Sequence, residues 1–113
     1  MAPGLDTIII KFIQANRINS FQKLRLLLFY QQDPDFEGTA PELAQKLHLA
    51  DTQLVRKTIL DFRDANLIVR TDRRWKLSDQ PEVVVALELL ARAFERPLTR
   101  QQLLDQVKDI YSR

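Results

Sequence analysis

Two helix-start signals and one helix-stop signal fall between Thr39 and Leu77, a spacing that leaves room for two short helices followed by a hairpin. This stretch constrains the fold more than any other. Thr39-Ala40-Pro41-Glu42 is a Thr-x-x-Glu capping box, in which each side chain can satisfy an exposed amide of the other residue. Pro41 is tolerated because the first helical turn does not use its amide hydrogen. Leu43, Ala44 and Leu47 share one face, and the small Ala44 lets a second helix cross closely.

The second helix is predicted to start at Asp51 as N-cap, with Val55, Ile59 and Phe62 forming its apolar stripe. Thr52, Gln53, Arg56, Lys57 and Leu60 fall on the opposite side. Asn66 is expected to end the helix, since asparagine tolerates the left-handed conformation that follows many helices. The β-prone Leu67-Ile68-Val69 then begins a hairpin that returns through Arg74-Trp75-Lys76-Leu77. With Leu67 and Val69 facing inward beside Trp75 and Leu77, the expected outer face carries Ile68, Arg70, Arg74 and Lys76. Arg73 sits with Asp72 at the turn.

Glu42-Leu43-Ala44-Gln45-Lys46-Leu47, Val55-Arg56-Lys57 and Asn66-Leu67-Ile68-Val69 together resemble a winged helix-turn-helix domain of the kind found in small bacterial transcriptional regulators. The resemblance covers residues 20–77. It departs from the common pattern in a turn, Leu47 to Asp51, one residue longer, with His48 where glycine is usual. The longer turn and the Arg-Lys pair also look like the winged helix of the general transcription factor E alpha subunit, a family in which such domains hold protein complexes together. The resemblance implies that Thr52, Gln53, Arg56 and Lys57 reach DNA bases or phosphates, while Arg70, Arg73, Arg74 and Lys76 form a wing on the backbone.

Composition narrows the function class. The chain has 113 residues, 45% of them apolar, enough for one domain of ordinary core size spanning residues 1–113. No cysteine is present, which removes disulfides, thiolate metal sites and thiol nucleophiles together. The single histidine and two glycines supply neither a catalytic triad nor a phosphate loop. A non-enzymatic protein with no cofactor and no metal is therefore expected. No apolar run reaches the roughly 18 residues that span a bilayer, and the N-terminus lacks a basic signal region, so a cytoplasmic protein without membrane contact is expected. Net charge is only +2, yet residues 51–77 hold seven cations against four anions. The surplus coincides with the expected contact surface.

Outside the core at 20–77, flanking helices are expected at 5–16, 79–95 and 99–111, giving a mainly α fold with a short β-hairpin. Asn19 with Gln22, Asp79 with Glu82 and Thr99 with Gln102 occupy capping-box positions, and Leu98 with Leu103 fit a hydrophobic staple. Phe36-Glu37-Gly38 fits a short third strand. Ile8, Ile9, Ile10, Phe12 and Ile13 make the first helix apolar around most of its circumference, and Leu103, Leu104, Val107, Ile110 and Tyr111 stripe the last. That apolar surplus is expected to be covered by a homodimer or by packing within one chain. The functional expectation is a dimeric regulator on duplex DNA; the alternative is a protein–protein interaction module within a larger assembly.

Overall fold

Capping chemistry fixes where each helix begins. The computed structural model describes the backbone of residues 6–112 and the side chains of residues 6–107. Leu5, where the first helix is expected to begin, and Ile110 and Tyr111 of the expected last stripe lie outside the described side chains. Helix α1 (Thr7–Ala15) is capped by Asp6, and α2 (Phe21–Gln32) by Ser20, whose hydroxyl accepts from the Lys23 amide. The expected cap Asn19 is thus one residue early; Ser20 has the extended backbone that a cap requires. Strand β1 (Glu37–Gly38) leads into α3 (Ala40–Lys46), where Thr39 and Glu42 form the reciprocal capping box. Asp51 caps α4 (Thr52–Asp64).

Asn66 follows α4 with φ 63°, the left-handed conformation expected of it. Strands β2 (Ile68–Thr71) and β3 (Arg74–Leu77) form the hairpin, and β1 pairs with the other edge of β3, so the antiparallel sheet has the order β1-β3-β2. Gly38 is buried beside the Phe36 ring, whose nearest atom would lie 2.5 Å from an added Cβ. Any larger residue there would have to push the Phe36 ring aside.

Proline sets the last two helices, and two capping expectations fail because of it. Helix α5 (Pro81–Glu95) starts at Pro81, whose fixed φ suits the first helical position, so the flanking cap residue is Gln80 and no side chain caps the helix. Asp79 therefore stands one residue too early. Helix α6 (Pro97–Ser112) starts at Pro97, which places Thr99 inside the first turn rather than before it. Its hydroxyl donates to the carbonyls of Ala93 at 2.6 Å and Arg96 at 3.4 Å, bonding the end of one helix to the start of the next.

Helices α1, α5 and α6 pack on one another, and α5 also packs on α2. Ile9, Ile13, Leu90, Leu103 and Val107 are buried, and the buried side chains of all six helices join one cluster. The apolar surplus of the flanking helices is largely taken up within the chain. Ile8, Val84, Val85 and Leu98 stay exposed. Among the described residues, no helix is long and apolar enough to cross a membrane.

Tyr30 is fully buried in α2, and its hydroxyl donates to the Trp75 carbonyl of β3 at 3.0 Å. Burial pushes its phenol well above the ordinary value of 10, because the phenolate would lose its water. The folded state therefore favours the neutral phenol; its contribution is complete below pH 10 and is lost as pH rises above that value toward the folded pKa. Tyr30→Phe is expected to lower stability by about 1 kcal/mol at neutral pH and to flatten the loss of stability above pH 10, both read from urea midpoints. Asn66→Ala is expected to cost about 1 kcal/mol and Asn66→Gly nothing, by the same measurement.

Candidate nucleic-acid interface

The turn between α3 and α4 aims the second helix outward. His48 adopts φ 56°, and the Leu49 amide bonds back to the Ala44 carbonyl at 2.8 Å. That closure turns the chain by backbone hydrogen bonding rather than by glycine. The guanidinium of Arg25, from α2, donates to the Leu47 carbonyl at 2.6 Å and fixes the same corner. Val55, Thr58, Ile59 and Phe62 are buried on the inner face of α4, which leaves Gln53, Arg56, Lys57 and Leu60 exposed and Thr52 half-buried.

The second strand of the hairpin faces as the sequence predicts, with Trp75 and Leu77 inward, but the first strand faces the other way. Directly opposed residues of an antiparallel pair share a face, and the register couples Ile68 with Leu77, Val69 with Lys76, Arg70 with Trp75 and Thr71 with Arg74. Ile68 and Leu77 are buried, while Val69 is 45% exposed. Arg70 therefore lies on the inner face with Trp75, and Val69, Thr71, Arg74 and Lys76 lie on the outer face. The cause is Leu67. Its amide bonds to the Phe62 carbonyl and its own carbonyl accepts from Ser78, so it is buried in the helix exit and the strand alternation begins one residue later.

Arg70 is held in place from two sides. Its Nε donates to the Asp72 carbonyl at 2.9 Å, and its guanidinium carbon lies 5.9 Å from the Trp75 ring centre, within cation–π range. Arg73 occupies the turn beside Asp72, which has φ 58°. A groove of about 300 Å³ runs between the hairpin, α4 and the start of α3; Arg56, Leu60, Arg70, Arg73 and Trp75 line it, with Pro41 at its end. Three cations from two separate segments thus meet over a partly apolar floor.

The remaining expected contacts are not in this groove. Lys57 lies on the opposite flank of α4, about 100° further round the helix from Arg56, in a second groove. Lys76 is paired in register with Glu37 across the sheet. Arg74 sits close enough to Glu42 to contribute to that carboxyl's lowered pKa, after the larger effects of hydrogen bonds from the Thr39 amide and hydroxyl. Thr52 and Gln53 stand at the start of α4 and do not line the groove.

Most of the nearby anions are engaged by local structure; Asp72, exposed at the hairpin turn beside Arg73, has no ion-pair or capping partner among the described residues. Asp51 caps α4, Glu42 completes the capping box of α3, Glu37 accepts from the Thr71 hydroxyl, Asp61 pairs with Lys23 at 3.2 Å and Asp64 pairs with Arg63 at 3.1 Å. Arg56, Arg70 and Arg73 have no carboxylate within ion-pair distance among the described residues. No group of three histidine, aspartate or glutamate side chains gathers as a metal site among the described residues.

No protein family, curated protein or solved structure matches this chain. Trp75, expected on the inward face, packs against the core and also forms a groove wall beside Arg70, a role that sequence reasoning missed. Gly38 pairing with Trp75 on β1 carries the signal that it missed: a strand neighbour without a side chain leaves that ring open along one edge. Trp75 is the single tryptophan, so its fluorescence reports on the groove alone. Arg70→Ala is expected to raise the acrylamide quenching constant of Trp75, and Arg74→Ala to leave it unchanged.

Proposed function

We propose that this chain is a winged helix-turn-helix protein that binds duplex DNA and regulates transcription. The convergence of Arg56, Arg70 and Arg73 on one groove, none of them ion-paired among the described residues, carries the reading. Phosphate oxygens are the ligands that guanidinium groups in such a cluster suit best, since each accepts paired N–H donors. The helix, strand, helix, helix, hairpin succession and the β1-β3-β2 sheet support the fold assignment.

In this reading the start of α4 enters the major groove. Gln53 and Arg56 are the exposed side chains there able to pair with adenine and guanine edges, and Thr52 and Lys57 reach flanking backbone. Arg70 and Arg73 clamp a phosphate from the wing side, while Arg74 and Lys76 on the outer face add field rather than contact. A single copy presents the complete surface. A homodimer on paired half-sites is the two-copy form of the same reading and would draw on Ile8, Val84, Val85 and Leu98, the apolar side chains left exposed.

Leu60 favours a second reading. It is 44% exposed inside the arginine-lined groove, where an apolar side chain suits a protein partner better than a sugar-phosphate strand. Salt separates the two readings. Fluorescence anisotropy with mixed-sequence duplex is expected to show log affinity falling linearly with log salt, by about 0.9 in slope per phosphate contact. The Arg56→Ala, Arg70→Ala, Arg73→Ala triple variant is expected to lower that slope by about 2 to 3, and Arg74→Ala with Lys76→Ala by less than 1. Absence of binding at low salt would overturn the DNA reading in favour of a protein partner.

A further inference from the structure

A groove of about 620 Å³ lies on the other flank of α4, between that helix, the start of α2 and the middle of α6. That is within the range of roughly 300 to 1,000 Å³ typical of small-molecule sites. Phe21, Leu54, Leu104 and Val107 form its apolar walls, and Phe21 is 51% exposed although it stands among them. An aromatic ring left half in water beside three aliphatic side chains is a surface that gains from being covered.

The charges at its rim are unequal. Asp61 is engaged by Lys23 at 3.2 Å, and the same Lys23 ammonium donates to the Arg17 carbonyl at 3.1 Å, so this pair is internally satisfied. Lys57 also lines the groove and has no carboxylate within ion-pair distance among the described residues. Among the described residues, an ammonium without an ion-pair partner beside an apolar trough is complementary to one anionic headgroup on a hydrocarbon body.

We propose that this groove is a binding site for a small amphipathic monocarboxylate, with its hydrocarbon body against Phe21, Leu54, Leu104 and Val107 and its carboxylate on Lys57. The site lies across α4 from the arginine groove and shares only Lys57 with the DNA reading, and it is tested without nucleic acid. Octanoate serves as the probe and octan-1-ol as its uncharged counterpart. Titration by ¹H–¹⁵N correlation NMR is expected to give octanoate shifts concentrated at residues 20–23, 54–61 and 104–107, with octan-1-ol binding about tenfold more weakly.

Lys57→Gln is expected to weaken octanoate about tenfold and leave octan-1-ol unchanged, whereas Phe21→Ala weakens both. Both substituted residues are exposed, so the variants keep the fold. Failure of octanoate to shift these residues at low millimolar concentration, shifts centred elsewhere, or equal binding of acid and alcohol would each overturn the proposal.

Discussion

A buried hydroxyl has to find its acceptor inside the protein, and the acceptor that Tyr30 finds decides where the sheet sits. Trp75 belongs to β3, the central strand, so one hydrogen bond from α2 places β1 and β2 as well. Two more polar side chains of the same helix act in parallel. Arg25 reaches the Leu47 carbonyl where α3 ends, and Lys23 reaches Asp61 in the last turn of α4. Three side chains of α2 thus tie down the three elements that build the arginine groove. Apolar packing supplies the bulk of the free energy in such a core, but it is non-directional. Directional bonds from one helix give the surrounding elements their relative positions.

What could be read from the sequence was local. The Thr39–Glu42 box, the Asp51 cap and the left-handed Asn66 each depend on residues within three or four positions, and all three form as expected. Where two polar residues stood side by side the choice went astray: Ser20 caps α2 in place of Asn19. Pro81 and Pro97 moved the last two helix starts, because a proline at the first helical position sets the boundary more firmly than any neighbouring side chain.

The site was legible by residue type and illegible by arrangement. All eight expected contacts lie on α4 or the hairpin, but only Arg56, Arg70 and Arg73 meet. That grouping depends on strand alternation, which turns on whether Leu67 belongs to the strand or to the helix exit. Both positions 67 and 68 are buried, by different neighbours, and hydrophobicity alone does not separate the two cases. The charge surplus behaves likewise. A count shows more cations than anions, but only the fold shows that Asp51, Asp61 and Asp64 are taken up by a cap and ion pairs while the three arginines of the groove are not ion-paired.

Helix α4 is a wall common to two grooves. Arg56 and Leu60 face one, Leu54 and Lys57 the other, and the thirteen residues between Thr52 and Asp64 form a single rod between them. Any change in the position of that rod would therefore alter both grooves together, with no relay of side chains between them.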